Sequence, residues 1–284
     1  MAIGVFDSGV GGLTVHRTLV QRFPTADFVY LADQAHAPYG GRAGEDIVEL
    51  TKAGVLRLFE AGCDVVVLAC NTASAIALRR LQQTWLPGWR AETGRAVNVL
   101  GLIVPTIEAA TGLPWEAELE SFEDEKIEKL DVIGVFCTVA TAESRVYEIE
   151  IAKRRTDIAV FSEACSGLAD MIEAGAARED LKAVIDGHAS ALKARIGRPP
   201  DRAILGCTHY EIVADLFADA LPPGTPLINQ PTAVADALER YFARHPEYDP
   251  GTSGRRQFLT TGQAGTQSGL VETFWGEPVR FEAA

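Results

Sequence analysis

The sequence has 284 residues, of which 47% are hydrophobic and 23% are charged, as is typical of a globular protein with a substantial apolar core. Lysine and arginine number 26 against 39 aspartates and glutamates, so the formal net charge is −13. A chain this acidic repels phosphate backbones and anionic lipid headgroups. We therefore expect neither nucleic acid nor a membrane surface as a partner.

The cysteines of this chain do not form a recognisable disulfide or metal-binding pattern. Their number is odd, their spacing is wide, and no pair has the C-x₂-C arrangement of zinc and redox motifs. They are Cys63, Cys70, Cys137, Cys165 and Cys207. The first residues, MAIGVFDSG, contain neither a basic segment nor a long apolar run, which predicts no signal peptide. We expect a cytoplasmic protein with reduced thiols and no bound metal.

Short apolar runs alternate with longer stretches of helical periodicity along the chain. The runs are continuous rather than alternating, which is typical of parallel strands buried on both faces. Predicted strands are residues 2–6, 28–31, 64–69, 97–100, 132–136, 158–161, 202–206 and 226–228, with the clearest helices at 45–61, 72–83, 166–174, 178–195 and 232–243. This alternation predicts an α/β fold with parallel sheets.

The two halves of the chain resemble each other. The tetrapeptide IGVF occurs at residues 3–6 and again at 133–136, and in both halves the next predicted strand starts 25 residues after the first. Further along, LACNTA around Cys70 corresponds to LGCTHY around Cys207. Three matches in the same order predict two pseudo-symmetric parallel-sheet α/β lobes. Ligands of such sheets bind at the carboxyl ends of the strands, so we expect the active site in the cleft between the lobes.

Cys70 and Cys207 are the residues best placed for chemistry. Each follows a predicted strand, and a helix begins after Cys70, so the helix dipole favours its thiolate. A buried and inert thiol is an equally common outcome for one such cysteine. The matching positions of the two cysteines, with His209 two residues after the second, favour a reaction that needs two opposed proton-transfer groups.

Two loops complete the candidate cleft. Asp7 ends the first strand and is followed by Ser8 and the glycine-rich run to Gly12, a turn of the kind that holds carboxylates or phosphates with backbone N–H groups. The run lacks the glycine pattern of dinucleotide-binding turns and the lysine of a P-loop, so nucleotide binding has little support. Residues 33–40 end in a Pro-Tyr-Gly turn, which is either an ordinary loop or a binding loop over the cleft.

Six blocks of the sequence resemble the glutamate racemases of the Asp/Glu racemase superfamily. The blocks are FDSGVGGLTV (6–15), ADQAHAPYG (32–40), ACNTAS (69–74), EACSGLADMIEAG (163–175), GCTHY (206–210) and FLTTGQ (258–263). The resemblance implies that Cys70 and Cys207 are catalytic, that Asp7 assists the first, and that Glu163 and His209 assist the second. The substrate-binding positions it implies are Ser8, Tyr39, Gly40, Asn71, Thr72, Thr138, Thr141 and Thr208.

The resemblance also implies how the chain is organised. It should cross twice between the lobes, so that residues 1–103 and 215–284 form the first lobe and residues 104–214 form the second. An acidic stretch at 114–131 interrupts the second lobe, and we interpret it as a solvated insert. The resemblance leaves a homodimer open as the assembly.

The implied reaction is the interconversion of L- and D-glutamate without a cofactor, supplying D-glutamate for peptidoglycan of the bacterial cell wall. Inversion at the α-carbon needs a proton removed from one face and another added to the opposite face, which two cysteines can do. Two alternatives stay open. One is an aspartate racemase or another amino-acid racemase of the superfamily, which a panel of substrates would distinguish. The other is a catalytically idle homologue with a binding or regulatory role, which would keep that role without Cys70.

Overall fold

The structure is a computed structural model that describes residues 1–115, 117 and 130–284. Most of the predicted acidic insert at 114–131 therefore lies outside the described residues. The described strands are β1 (Ala2–Asp7), β2 (Phe28–Ala32), β3 (Cys63–Leu68), β4 (Asn98–Gly101), β5 (Asp131–Cys137), β6 (Ile158–Ala164), β7 (Arg202–Gly206), β8 (Leu227–Ile228), β9 (Arg256–Thr260), β10 (Gly265–Gln267) and β11 (Val279–Ala283).

These strands form two sheets within the described part of the chain. One has the order β10-β11-β9-β2-β1-β3-β4 and the other has the order β6-β5-β7-β8. All neighbouring strands are parallel except β10, which is antiparallel to β11. The predicted fold class, two lobes with parallel sheets, is confirmed. Helices cover both sheets and bury the continuous apolar strands on two faces.

The described helices vary greatly in length. They are α1 (Leu13–Arg22), α2 (Gly44–Glu60), α3 (Asn71–Ile76), α4 (Leu78–Arg80), α5 (Leu86–Thr93), α6 (Ile103–Thr111), α7 (Val139–Ser144), α8 (Val146–Ala152), α9 (Leu168–Glu173), α10 (Arg178–Ile196), α11 (Ala214–Ala220), α12 (Gln230–Arg244) and α13 (Leu270–Trp275). A π-helical turn at Leu81–Trp85 connects α4 to α5. Among the described helices, none is long and apolar enough to cross a membrane.

The internal repeat is a repeat of strand pairing. β1 lies between β2 and β3, and β5 lies between β6 and β7 in the same parallel arrangement. The two IGVF segments are therefore the central strands of their sheets. Cys70 follows β3 and Cys207 follows β7, so the two cysteines occupy equivalent positions in the two halves.

The boundary between the lobes differs from the prediction on the carboxyl side. Residues 215–284 were expected to belong to the first lobe, but β8 is hydrogen-bonded to β7 of the second sheet. Leu216 and Phe217 of α11 also pack in the core of the second lobe. The chain returns to the first lobe only with α12, whose apolar face packs in the core around α1. The strand at 226–228 was predicted, but the boundary was misplaced because the sequence does not show which of the two sheets that strand joins.

His16 is an unusual member of the core of the first lobe. Its imidazole is fully buried, is stacked on Trp275 with ring centroids 4.9 Å apart, and has the edges of Phe28 and Phe258 against it. Neither ring nitrogen has a hydrogen-bond partner among the described residues. Burial, with a contribution from the charge of Arg256, lowers the pKa of His16 to about 3.

The lowered pKa of His16 makes the fold sensitive to acid. The unfolded chain binds a proton at this residue below pH ~6.5, whereas the folded chain does not until the pH approaches 3. Stability is therefore full above pH ~6.5 and is lost as the pH falls below it, by about 2 kcal/mol at pH 5. We expect His16→Phe to remove that loss, measured by urea unfolding at pH 7 and pH 5. The same decrease in both proteins would contradict the prediction.

Candidate active site

The two predicted catalytic cysteines meet across one cleft. Cys70 and Cys207 both line a narrow cavity of about 40 Å³ between the lobes, and each is 6% exposed. One thiol comes from the end of β3 and the other from the end of β7, so the two lobes present them from opposite walls. This is the placement that a two-base reaction requires.

Cys70 is held by the turn that opens α3. Its Sγ accepts a hydrogen bond from the backbone N–H of Ala73 at 3.4 Å and lies 3.3 Å from Oγ of Ser8. Burial raises the pKa of Cys70 to about 12, and the negative charge of Asp7 adds to the rise, although the two hydrogen bonds act against it. At neutral pH, Cys70 therefore holds its proton.

The hydrogen-bond partners of Asp7 are backbone groups of the turn that follows it. Its buried carboxylate accepts hydrogen bonds from the backbone N–H groups of Gly9 and Gly12, each at 3.1 Å. Burial raises the pKa of Asp7, while the charge of His209 and the two hydrogen bonds lower it. The glycine-rich turn was expected to hold an anion, and the anion held by these two N–H groups is the side chain of Asp7. Asp7 is thus fixed close to Cys70.

The same turn explains why glycine stands at position 11. A Cβ there would lie 2.6 Å from Nδ1 and Cε1 of His209 and 2.6 Å from Oγ1 of Thr208. No side chain fits at that distance, because the turn of the first lobe passes directly against His209 and Thr208 of the second. Gly11 is therefore required by the approach of the two lobes.

The second thiol belongs to a chain of three side chains. Sγ of Cys207 lies 3.7 Å from Nδ1 of His209, and Nε2 of His209 lies 2.7 Å from Oε1 of Glu173. Burial acts to lower the pKa of His209, but the hydrogen bonds to Cys207 and Glu173 outweigh it and raise that pKa to about 10. His209 is therefore an imidazolium at neutral pH, with a carboxylate on one side and a thiol group on the other.

The structure corrects the predicted acidic partner of His209. Glu163 was expected to assist the second cysteine, but its carboxylate binds Nδ1 of His188 at 2.9 Å and a guanidinium nitrogen of Arg195 at 3.0 Å. Both partners belong to α10, which covers β6. Glu163 therefore faces the helix layer and does not line the cavity, whereas Glu173, the last residue of α9, does.

Hydroxyl groups from both lobes line the cavity. Oγ1 of Thr72 lies 3.0 Å from Oγ1 of Thr138, and Thr141 is buried behind them with its Oγ1 3.1 Å from that of Thr138. Thr138 also caps α7. Ser8 and Thr208 line the same cavity. These predicted substrate-binding residues therefore lie together, although Thr141 reaches the cavity only through its neighbours.

The Pro-Tyr-Gly turn borders the cavity, as a binding loop would. The Tyr39 hydroxyl donates a 2.6 Å hydrogen bond to Oδ2 of Asp33, and the Gly40 carbonyl accepts one from the backbone N–H of Ala140 in the second lobe. Tyr39 and Gly40 both line the cavity. Because its hydroxyl proton is given to Asp33, Tyr39 contributes its ring and its position rather than a free donor.

A larger cavity lies on another side of α3 but holds none of this chemistry. It measures about 650 Å³ and is bordered by α4, α6, α8 and α12. Its rim contains two ion pairs, Arg79 with Glu150 and Arg240 with Glu108. Neither Cys70 nor Cys207 reaches it. If size were the only criterion, this cavity would be the candidate active site. The smaller cavity is the better candidate because it contains the two thiols and their hydrogen-bonded partners.

In the part of the chain that the structure describes, the other three cysteines have no hydrogen bond to an acidic or imidazole side chain, and Sγ of Cys165 contacts the backbone carbonyl of Glu163. Cys63, Cys137 and Cys165 are buried free thiols, and burial raises the pKa of each above its ordinary value. Among the described residues, no group of three or more histidine, cysteine, aspartate or glutamate side chains is placed to hold a metal ion.

Sequence comparison assigns the family. The profile of the Asp/Glu/Hydantoin racemase family matches residues 11–238. A glutamate racemase from Phenylobacterium zucineum is 77% identical over 284 residues, the whole length of both chains. The chain belongs to the Asp/Glu/Hydantoin racemase family. The predicted resemblance to glutamate racemases is confirmed.

Solved structures of the same racemase family have this fold. A glutamate racemase isoform from Bacillus anthracis has a TM-score of 0.78 at 26% identity, and the match covers 100% of this chain and 97% of that one. A glutamate racemase from Francisella tularensis, solved in complex with D-glutamate, has a TM-score of 0.76 at 24% identity, with 99% and 95% of the chains covered. The two-lobed α/β fold is therefore the fold of the family.

Proposed function

We propose that this member of the racemase family interconverts L-glutamate and D-glutamate, with Cys70 and Cys207 as the two proton-transfer groups. The observation that carries the proposal is the pair of thiols presented to one cavity from opposite lobes. The identity of the substrate is supported by the high similarity to a glutamate racemase over the full length of the chain.

The reaction exchanges one proton for another at the α-carbon of the substrate. In one direction, Cys207 as thiolate removes the α-proton from one face, and the protonated Cys70 adds its proton to the opposite face of the carbanion. One C–H bond is broken and one is formed, so nothing is oxidised or reduced. In the reverse direction the two thiols exchange roles, and Asp7 beside Cys70 and His209 beside Cys207 adjust the protonation of each thiol.

The carbanion must be stabilised by groups that stand around it before the reaction begins. The hydroxyls of Ser8, Thr72, Thr138 and Thr208 surround the cavity and are suited to hold the two carboxylates of glutamate by hydrogen bonds. The His209 imidazolium offsets negative charge that would otherwise repel an acidic substrate from a site containing Asp7 and Glu173. Thr141 positions Thr138, and Asn71, Tyr39 and Gly40 complete the wall.

The product defines the biological role that we propose. D-Glutamate is a building block of peptidoglycan, so the enzyme would supply cell-wall synthesis from the cytoplasmic pool of L-glutamate. A free amino acid requires neither nucleic acid nor a membrane as a partner.

Incubation of the purified protein with L-glutamate in deuterium oxide, with no added cofactor, tests the proposal. We expect optical rotation to fall to zero while the α-proton NMR signal disappears, because the proton returned to the product comes from solvent-exchanged thiols. D-Glutamate should give the same end point, and L-aspartate should react far more slowly. Racemisation without deuterium at the α-carbon, or a preference for aspartate, would contradict it.

A further inference from the structure

Gln230 joins the two lobes directly behind the catalytic cavity. It is the first residue of α12, where the chain returns to the first lobe, and it is fully buried. Its amide forms a reciprocal pair with Asn71: Nδ2 of Asn71 donates to Oε1 of Gln230 at 2.8 Å, and Nε2 of Gln230 donates to Oδ1 of Asn71 at 2.9 Å. Asn71 adjoins Cys70 and lines the cavity.

Two buried hydroxyls determine which way both amides point. Tyr147 donates its hydroxyl proton to Oδ1 of Asn71 at 3.0 Å and accepts a hydrogen bond from Nε2 of Gln230 at 3.1 Å, which matches the oxygen of Asn71 and the nitrogen of Gln230 at these positions. Thr106 donates its proton to the carbonyl of Leu102 and therefore only accepts from Nε2 of Gln230, at 3.0 Å. Rotating one of the two amides by 180° while the other stays would place donor against donor and acceptor against acceptor, so the observed orientation is favoured.

The fixed orientation leaves one hydrogen of Asn71 uncommitted. The amide nitrogen carries two hydrogens, and one is given to Gln230. Among the described residues, no acceptor takes the other. Since Asn71 lines the cavity, this N–H is a donor for an anionic group bound beside Cys70.

We propose that Gln230 is a positioning residue, which orients the Asn71 amide so that its N–H rather than its carbonyl is offered to a substrate carboxylate. The inference deepens the proposed function and rests on glutamate binding in this cavity. Gln230 touches neither thiol. It connects α3 of the first lobe with Tyr147 on α8 and Thr106 on α6. The N–H of Asn71 is therefore aligned only when the two lobes are packed correctly against each other.

Steady-state kinetics of Gln230→Met with glutamate test the inference. Methionine keeps the length of the side chain but removes its donors and its acceptor, so the Asn71 amide is free to rotate. We expect KM to rise about tenfold, the usual effect of losing one hydrogen bond to a charged group, while kcat changes by less than about threefold. Tyr147→Phe removes a single donor to Asn71, and we expect a smaller rise of KM in the same direction.

Thr51 provides a matched control for the buried threonine of the cluster. Thr51 and Thr106 are both fully buried, and each donates to the carbonyl four residues earlier in its helix, but only Thr106 contacts Gln230. Thr106→Val should raise KM, and Thr51→Val should lower the melting temperature without changing KM.

The outcomes separate this inference from the proposed function. If the wild-type enzyme racemises glutamate but folded Gln230→Met has an unchanged KM, the positioning role is overturned and the racemase proposal stands. Equal KM changes in Thr51→Val and Thr106→Val would also overturn it, because they would reflect general loss of stability. If Gln230→Met does not fold, Tyr147→Phe decides, and an unchanged KM there overturns the inference.

Discussion

Replacing either Cys70 or Cys207 by serine is expected to lower the rate of glutamate racemisation by about 10³-fold. A serine hydroxyl has nearly the same size as a thiol but is far less acidic, so it neither accepts nor returns the α-proton at a useful rate. The two thiols come from different lobes and line the same cavity, and in the proposed mechanism each serves one face of the α-carbon. Each variant therefore loses one half of the reaction in both directions.

The half-reaction that survives should differ between the two variants. In deuterium oxide, Cys70→Ser retains the base at Cys207 and should exchange the α-proton of one enantiomer of glutamate without inverting it. Cys207→Ser should exchange the α-proton of the other enantiomer. NMR of the α-proton with pure L- and pure D-glutamate measures this directly.

Cys63→Ser is the control for substitution of a buried thiol. Cys63 is fully buried in the first lobe but does not line the cavity, so its replacement should leave racemisation near the wild-type rate. Full racemase activity in either Cys70→Ser or Cys207→Ser, or exchange of both enantiomers by both variants, would contradict the two-base mechanism.

Most of the fold could be predicted from the sequence because the central strands are buried on both faces. Strands such as β1 and β5 are continuous apolar runs because helices cover both of their sides. The strands β9, β10 and β11 were not predicted because they lie toward one edge of the first sheet. In β11, buried Val279 and Phe281 alternate with exposed residues, so no continuous apolar run marks the strand.

The two cysteines that we propose as catalytic were predictable for a related reason. They follow matching strands of a repeated unit, and repetition fixes their relation in space without any knowledge of the loops. The repeat does not determine which acidic residue contacts His209. Glu163 and Glu173 lie in the same block of sequence, and only the path of α9 back toward the cavity decides that Glu173 is the one that reaches it.

The hydrogen-bonded cluster around Gln230 could not be predicted from sequence patterns. Asn71 and Gln230 are 159 positions apart, and they meet only because α12 begins at the crossing between the lobes. A buried glutamine at a helix start has no periodicity that points to its partner. Such a pair can be found only when the packing of four separate elements is known.

Glu173→Gln is expected to lower kcat for glutamate by about 10- to 100-fold, whereas Glu163→Gln should leave it within about twofold. Both substitutions remove one negative charge and keep the size of the side chain, so they form a matched pair. In Glu173→Gln, His209 loses the carboxylate at 2.7 Å that helps to hold its pKa near 10. That pKa should fall below its wild-type value, although the hydrogen bond to Cys207 still raises it.

The pH dependence of kcat separates this role from a loss of stability. In the wild-type enzyme, His209 stays protonated until the pH approaches 10, so its charge is constant across the neutral range. In Glu173→Gln, burial still lowers the pKa of His209 and only Cys207 remains to raise it, so the imidazolium should be lost at a lower pH than in the wild type. The fall of kcat with rising pH should therefore begin at a lower pH in the variant. Glu163→Gln weakens the contacts with His188 and Arg195 and should lower the melting temperature without altering the pH profile. A larger loss of kcat in Glu163→Gln than in Glu173→Gln would restore Glu163 as the partner of the second cysteine.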